Sequence, residues 1–333
     1  MAKTGNRSRL IFVGGAPRSG TTLVQNMLDS HPLILGGPEF LHLPKVIDLR
    51  RELHFSISKG WIDIICTQED VDNHLRSLIE NLFLPLADRS QSEFYSEKSP
   101  MNILAFSGLI ELFPESYFIH VVRDPRAIVS SMKKVKSRAK SKGLHTPDFT
   151  SSLSASISYV KNCFNAGFAA SKKFPDKVLT IAFESLLKDP ERQTKKICNF
   201  IGIDWNDSML RPGEKEHLGE LAITKNSGEI WYNAKEYYRD PDSQNMEKWQ
   251  SELTLGQQIR TMMAFKDNED LIQYGYNFSL NSLTQTHYIL AKSYFLYLRL
   301  GRAIYRFSSF IVRKIPGISL VKKGLLAIAR FLG

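Results

Sequence analysis

The residues best suited to chemistry lie in a loop near the N-terminus, GAPRSGTT, residues 15–22, called the anion loop below. It follows the phosphate-binding pattern G-x-x-x-x-G-K-[ST], except that Thr21 replaces the lysine and Arg18 places a cation inside the loop. The hydroxyls of Ser19, Thr21 and Thr22 add donors, and the N-terminus of the helix expected from Thr21 attracts anions. The loop is therefore predicted to bind phosphate or sulfate. A glycine-rich turn without a ligand is the alternative.

A second candidate group follows in FIHVVRDPRAIVSSM, residues 118–132. Arg123 stands at the carboxyl end of a predicted strand, where open α/β sheets bind their ligands. Ser131 lies eight residues further along, about two helical turns, so both side chains can face one ligand. Arginine suits bidentate contact with phosphate. The motif is therefore predicted to bind a second phosphate, and an Arg-Asp-Pro-Arg turn held by local salt bridges is the alternative.

Together these motifs resemble those of sulfotransferases that use 3′-phosphoadenylyl sulfate (PAPS). The form PRSGTTL followed by LDSHP is most similar to the tyrosylprotein sulfotransferases and their bacterial relatives, and the resemblance covers about residues 10–275. It implies that the anion loop holds the 5′-phosphosulfate and the second motif the 3′-phosphate. The nucleotide-binding residues that it implies are Arg18, Ser19, Gly20, Thr21, Thr22, Arg123, Ser131 and, on a looser alignment, Ser227 and Lys248.

Two further segments carry the catalytic side chains that the resemblance implies. Glu39 in PEFLHLP matches the family's catalytic glutamate, and Lys98 in EKSP matches its catalytic lysine. Glu39 is expected to act as general base toward an acceptor hydroxyl, or an amine, during in-line sulfuryl transfer. Arg18 and Lys98 are expected to stabilise charge on the bridging oxygen and the leaving phosphate, without a metal. An acid that complements a helix dipole is the alternative for Glu39.

The expected acceptor site departs from the tyrosylprotein pattern. Two substrate-site arginines of that family correspond to Leu41 and Lys45. The tyrosine of its nucleotide-binding strand is Phe183 here, and a second 3′-phosphate arginine falls at Val135. The resemblance implies PAPS as donor and PAP as product. It leaves the acceptor open among saccharides, lipids, small metabolites and peptide tyrosine.

The elements that must position these residues alternate along the chain. Apolar runs predict strands at LIFVGG, LILGG, SEFYSEKSP, SYFIHVVRDP and KVLTIAF. Helical patterns lie between and after them, at about Thr21–Ser30, Asp70–Ala87, Asn102–Phe113, Pro125–Lys136, Ser151–Lys173 and Glu191–Ile201. This alternation predicts an α/β fold, a single P-loop-like domain over residues 8–280 whose central parallel sheet is flanked by helices.

Positive charge is concentrated in the last part of the chain. The 333 residues have a net charge of +10, and residues 281–333 hold nine Lys or Arg and no Asp or Glu, which leaves about +1 for residues 1–280. From His287 onward, aromatic residues and cations interleave as on a basic amphipathic helix that lies on an anionic membrane. A helical basic C-terminal extension is therefore expected over residues 281–333. Packing on the enzyme body or in a homodimer is the alternative, and no nucleic-acid motif is found.

Composition narrows the class of protein. Hydrophobic residues make up 43% of the chain and charged residues 23%, as in ordinary globular proteins. Three cysteines are too few and too scattered for a disulfide framework or a zinc site, which indicates a reducing compartment. With no signal-peptide or transmembrane pattern, a cytoplasmic location with peripheral membrane contact is expected.

The leading hypothesis is a PAPS-dependent sulfotransferase, and two others are weighed against it. A P-loop NTPase or kinase is disfavoured because Thr21 occupies the lysine position and no Walker-type acid follows an apolar strand. A non-catalytic, membrane-bound adaptor with a nucleotide fold is disfavoured because Arg18, Glu39 and Lys98 are all present.

Overall fold

A parallel sheet forms the centre of the first of two structural units. The structure, a computed structural model, describes residues 9–219, 230–231 and 246–278, and the chain divides after Lys248 into two compact units. In the first unit, the described strands are β1 Leu10–Gly15, β2 Ile34–Gly36, β3 Phe94–Lys98, β4 Tyr117–Val122 and β5 Val178–Ala182. They pair in parallel in the order β2-β3-β1-β4-β5. This sheet and its flanking helices confirm the predicted α/β fold.

Helices connect the strands and cover the sheet. Among the described residues of the first unit, the α-helices are α1 Thr21–Asp29, α2 Leu43–Ser58, α3 Gln68–Arg89, α4 Phe106–Leu112, α5 Pro125–Ser141, α6 Leu153–Lys173, α7 Phe183–Lys188 and α8 Pro190–Ile201. Short 3-10 helices lie at Pro100–Leu104, Asp148–Thr150, Asp207–Leu210 and Pro212–Glu214. The described part of the second unit contains α9 Trp249–Glu252, α10 Leu255–Phe265 and α11 Glu269–Gln273.

The central strand β1 is buried on both faces, which explains why its sequence is a continuous apolar run. Successive side chains of a strand point to opposite faces. Ile11 and Val13 belong to the apolar cluster that also contains Met27 of α1. Phe12 stacks on Phe118 of β4 with ring centroids 5.2 Å apart. Apolar packing on both faces therefore fixes β1, and with it the start of the anion loop.

The strand order brings the predicted motifs to one edge of the sheet. β1 lies between β3 and β4, with Val13 opposite both Lys98 and Ile119. The chain leaves β1 for β2 and β3 on one side, then crosses to β4 and β5 on the other. Ligands of open α/β sheets bind at such a reversal of direction, outside the carboxyl ends of the strands. The anion loop, Lys98 and Arg123 all lie at this edge.

The helices of the first unit differ from the predicted elements in three places, and α9–α11 of the second unit were not predicted. The sequence pattern does not predict α2, because Leu43 is the one residue of this helix that is buried. The predicted helix Asn102–Phe113 is a 3-10 helix at Pro100–Leu104 followed by α4. Phe183, expected at the end of the last strand, is the first residue of α7.

The second unit is described over residues 249–278. In α10, the hydroxyl of Thr254 caps the helix by accepting from Gln257 N at 3.4 Å. The buried ring of Phe265 lies 6.2 Å from that of Phe278. The predicted boundary between residues 280 and 281, and the predicted basic helix beyond it, lie outside the described residues and stay predictions.

Candidate active site

The anion loop makes a sharp turn between β1 and α1. Ser19 N donates to Ala16 O at 2.9 Å, and Arg18 and Gly20 have positive φ angles of 76° and 100°. Gly20 is the N-cap of α1 and has no side chain that could cover the first N–H groups of the helix. Those N–H groups and the helix dipole favour an anion at this point.

Gly20 is required by its surroundings as well as by its φ angle. A Cβ atom at this position would lie 2.1 Å from Cδ2 of Phe183. The positive φ is itself unfavourable for residues that carry a Cβ atom. The close approach of α7 to the anion loop therefore depends on glycine.

The hydroxyl of Ser19 has the environment expected of a ligand contact. The side chain is fully buried, and Oγ has no hydrogen-bond partner among the residues that the structure describes. Leaving a buried polar group unsatisfied costs about 1–3 kcal/mol. An oxygen of a bound phosphate or sulfate would satisfy this hydroxyl, so the loop fits the phosphosulfate group that the sequence predicts.

The two phosphate motifs lie in direct contact. Arg18 Nε donates to Ser131 Oγ on α5 at 2.8 Å. Arg123 Nη1 donates to the carbonyl oxygen of Arg18 at 3.1 Å, and its guanidinium lies 4.5 Å from the centre of the Phe183 ring. The structure thus brings together Arg18, Arg123 and Ser131, and it adds Phe183 as a surface on which Arg123 rests.

The local salt bridge considered as the alternative for the second motif is made by a different arginine. Arg126 pairs with Asp124 through Nη2 and Oδ2 at 2.7 Å, and Asp124 also caps α5 by accepting from Arg126 N. Asp124 N donates to Glu184 at 3.0 Å. Since Arg126 satisfies Asp124, Arg123 is directed to the anion loop instead.

Lys98 lies between the anion loop and Glu39. Its Nζ atom donates to Thr22 Oγ1 at 3.2 Å and contacts Glu39 Oε1 in an ion pair. The Lys98 side chain is 5% exposed and that of Glu39 is 25% exposed. Because α2 begins only at Leu43, Glu39 precedes the first turn of that helix and its carboxylate pairs with Lys98. The pair joins a buried cation to a carboxylate that solvent can reach.

The segment that carries Glu39 is laid along β3. Gly37 N donates to the carbonyl oxygen of Ser96 at 2.9 Å. Gln25 of α1 also fixes Ser96, since its Nε2 donates to Ser96 O at 2.8 Å and its Oε1 accepts from Ser96 Oγ at 2.6 Å. A Cβ at Gly37 would lie 1.7 Å from the hydroxyl oxygen of Tyr95. Glycine at position 37 therefore lets the segment approach the strand.

Glu97 is a residue that the sequence analysis did not single out. It is fully buried on β3, beside Lys98. Burial raises the pKa of its carboxyl group to about 7, and the nearby charge of Glu39 acts in the same direction. Hydrogen bonds from Ser99, Phe40 N and Asn102 act in the opposite direction. The available signal was a charged residue inside the strand FYSEK.

The remaining residues that the family resemblance singled out differ in burial, and one lies outside the described residues. Val135 is buried in a small apolar cluster with Ala139 and Ile230. Leu41 and Lys45 are exposed near the start of α2. Lys248 is exposed at the end of the first unit, and Ser227 lies outside the described residues. The roles proposed for Ser227 and Lys248 stay predictions.

The described residues were compared with the requirements of disulfides, metal sites and membrane-spanning helices. Cys66, Cys163 and Cys198 are free thiols. Within residues 9–219, 230–231 and 246–278, no three or more His, Cys, Asp or Glu side chains are grouped to hold a metal ion. No helix in these ranges has the length and apolar character needed to cross a bilayer.

A family model and individual relatives of this chain all belong to the sulfotransferases. A model of the Sulfotransferase family matches residues 10–207. Over 210 residues the chain is 31% identical to protein-tyrosine sulfotransferase A of Caenorhabditis elegans, an alignment covering 61% of this chain and 52% of that protein. Over 216 residues it is 29% identical to human protein-tyrosine sulfotransferase 1, covering 64% and 56%. The chain thus spans about half the length of these relatives.

Solved structures share the fold. The sulfotransferase domain from the Synechococcus PCC 7002 olefin synthase matches with a TM-score of 0.54 at 22% identity, over 83% of this chain and 98% of that domain. The sulfotransferase domain from the curacin biosynthetic pathway matches with a TM-score of 0.51 at 18% identity, over 75% and 93%. These similarities concern the arrangement of strands and helices around the sheet.

Proposed function

Because the chain belongs to the sulfotransferase family, we propose that it transfers a sulfuryl group from PAPS to a hydroxyl acceptor by in-line displacement, with Glu39 as the general base. The observation that carries this proposal is the position of Lys98. It contacts Thr22 in the anion loop and Glu39 beside it. A single buried cation therefore joins the group that would bind the donor to the group that would activate the acceptor.

The donor-binding residues are proposed to act in two sets. Arg18, Ser19, Gly20, Thr21 and Thr22 would hold the 5′-phosphosulfate. Support comes from the unsatisfied, buried Ser19 hydroxyl and from the turn at the start of α1. When bound, PAPS supplies the sulfuryl group and a phosphate leaving group.

The second set would hold the 3′-phosphate. It consists of Arg123 and Ser131, which lie at the carboxyl end of β4 and on α5. Both side chains touch Arg18, through its carbonyl oxygen and its guanidinium respectively. Arg123 is further oriented by the Phe183 ring. The contact between the two sets supports one continuous binding site for a nucleotide with phosphates at both ends.

The chemical steps assigned to the chain are proton removal and charge stabilisation. Glu39 takes the proton of the acceptor hydroxyl, and its partial exposure leaves room for the acceptor to approach. The Lys98 ammonium and the Arg18 guanidinium place positive charge where negative charge develops on the leaving oxygen. Because both cations are held by hydrogen bonds before the donor binds, little reorganisation is needed during transfer.

The acceptor class is a hydroxyl compound whose identity must be measured. The relatives are named for protein tyrosine, so a tyrosine-containing peptide is the first acceptor to test. Leu41 and Lys45 stand where the sequence comparison expected arginines, and both are exposed near Glu39. A monosaccharide and a long-chain alcohol therefore belong in the same panel.

The test combines binding with transfer. Calorimetry should detect PAP binding and no binding of ATP or GTP, and labelled sulfate should pass from PAPS to a member of the panel. Glu39→Gln should retain PAP affinity and lose at least ~100-fold in kcat, as expected for loss of a general base. Glu52→Gln, which changes an exposed acid on α2, is the matched control. Binding of ATP without PAP would refute the donor assignment, and near-normal turnover by the Glu39 variant would remove Glu39 from the mechanism.

A further inference from the structure

We propose that Glu97 is a positioning residue that fixes the Glu39–Phe40 peptide on β3 and thereby holds the Glu39 carboxylate against Lys98. This inference rests on the function proposed above, because it gives Glu97 a task only if Glu39 acts on the acceptor. Glu97 itself is fully buried, so it acts through its neighbours.

The contacts of Glu97 define the task. Its Oε1 accepts from the backbone N–H of Phe40 at 2.8 Å and from Ser99 Oγ at 2.6 Å, and its Oε2 accepts from Asn102 Nδ2. The Phe40 N–H belongs to the peptide bond that follows Glu39. The carboxylate of Glu97 on β3 therefore binds the peptide group that directly follows the proposed base.

The two residues that flank Glu97 on β3 hold the rest of the segment that contains Glu39. Lys98 contacts the Glu39 carboxylate, while Ser96 holds Gly37 through its carbonyl oxygen. Three consecutive residues of β3 thus fix the segment from Gly37 to Phe40, at its start, at its end and at the Glu39 side chain. Rigid support of this kind matters because a displacement of about 1 Å in a catalytic group can cost about 100-fold in rate.

Two substitutions of Glu97 change one property each: glutamine removes the charge and keeps the length, whereas aspartate keeps the charge and shortens the side chain. Within the described part of the chain, Asn102 Oδ1 is buried without a hydrogen-bond partner. Exchange of Oδ1 and Nδ2 by an amide flip would let Asn102 accept from a glutamine at position 97. Glutamine would then keep the bond to Phe40 N without a charge. Aspartate would keep the charge but is shorter by one carbon–carbon bond, about 1.5 Å, and could not reach the same donors.

The experiment compares Glu97→Gln with Glu97→Asp in the full chain. Transfer of labelled sulfate from PAPS is measured with the acceptor of the panel that the unmodified chain uses best. Glu97→Gln should retain kcat within about threefold, whereas Glu97→Asp should lose about 100-fold in kcat. KM for PAPS should change less than about threefold in both, since Glu97 does not touch Arg123 or Ser131. Glu191→Gln and Glu191→Asp, at an exposed acid on α8, serve as controls.

Hydrogen exchange at the Phe40 amide provides a readout that does not require activity. The exchange rate should rise at least ~10-fold in Glu97→Asp and stay within about threefold of the original in Glu97→Gln, because only the aspartate variant loses the acceptor. If the unmodified chain transfers no sulfate, the proposed function fails, and the exchange rates still decide whether Glu97 holds this peptide.

Several results would overturn the inference. Normal kcat in Glu97→Asp, or a kcat loss in Glu97→Gln that equals or exceeds the loss in Glu97→Asp, would show that reach to Phe40 N is not what matters. Equal exchange rates at Phe40 in all three chains would show the same. A parallel loss of PAP affinity and kcat in both variants would assign Glu97 a purely structural role.

Discussion

Buried Glu97 should make the stability of the protein depend on pH in a way that one substitution removes. Burial raises its pKa from an ordinary value of 4.5 to about 7. In this interval the folded chain keeps a proton that the unfolded chain releases, so the contribution of Glu97 to stability is full below pH 4.5 and is lost as the pH rises through 7. A difference of about 2.5 pKa units corresponds to about 3 kcal/mol.

Glu97→Gln isolates this effect because glutamine does not ionise, keeps an acceptor for Phe40 N and Ser99 Oγ, and can donate to Asn102 after the amide flip described above. The free energy of unfolding of the variant, minus that of the original chain, should grow by about 3 kcal/mol between pH 4.5 and pH 8, with about three quarters of the growth complete by pH 6.5. Urea unfolding followed by circular dichroism at several pH values measures the difference, since all other titrating groups are shared.

Glu111→Gln is a control with the opposite sign. Burial opposes ionisation of Glu111, but hydrogen bonds from Lys173 and Arg50 outweigh it and lower the pKa. Replacing Glu111 should therefore make the variant lose stability relative to the original chain as the pH rises through its carboxyl range. If the free-energy difference for Glu97→Gln stayed constant within about 0.5 kcal/mol from pH 4.5 to 8, the buried carboxyl would not be holding a proton, and the electrostatic reasoning would be wrong.

Three further predictions concern donor binding and the basic extension. Gly20→Ala should weaken PAP binding at least ~10-fold in calorimetry, because its Cβ would collide with Phe183 at a strained φ. Gly143→Ala has a similar φ but open space around its Cβ, and it should leave PAP affinity unchanged; equal losses would refute the collision. Arg123→Lys should weaken PAP binding about 10- to 100-fold, because lysine lacks the planar fork that would contact phosphate and rest on Phe183, and an unchanged Kd would exclude Arg123 from the site. Deletion of residues 281–333 should abolish sedimentation with anionic liposomes, and undiminished partitioning would reject membrane binding by that segment.

Much of the fold could be predicted because parallel strands buried on both faces are continuous apolar runs. The end of each run also located the motifs, since the carboxyl ends of parallel strands share one edge. Arg18 and Ser131, which are 113 positions apart, were expected near one nucleotide because the family resemblance assigns them to its two phosphate ends. Their direct hydrogen bond could not be inferred, because either side chain could have faced the ligand without touching the other.

The features that sequence reasoning missed lack a periodic or local signal. α2 buries only Leu43, so its sequence has no apolar stripe that would indicate a helix. Glu97 accepts from Phe40 N, which is 57 positions away, and nothing in the strand FYSEK specifies which backbone amide a buried carboxyl will meet. Phe183 was read as the end of a strand because it continues an apolar run, yet it begins α7 and supports Arg123.

The shallow attachment of α2 has a consequence for how acceptor preference can evolve. The side chains proposed to bind the donor stand at the ends of core strands, where most substitutions reduce stability. In contrast, the outer face of α2, which starts four residues after Glu39, contributes little to the core, so its residues can be exchanged at small cost in folding free energy. Diversification among relatives is therefore expected to concentrate in residues 41–58. If this segment contacts the acceptor as proposed, grafting it from one relative onto another should change acceptor preference and leave PAP affinity unchanged.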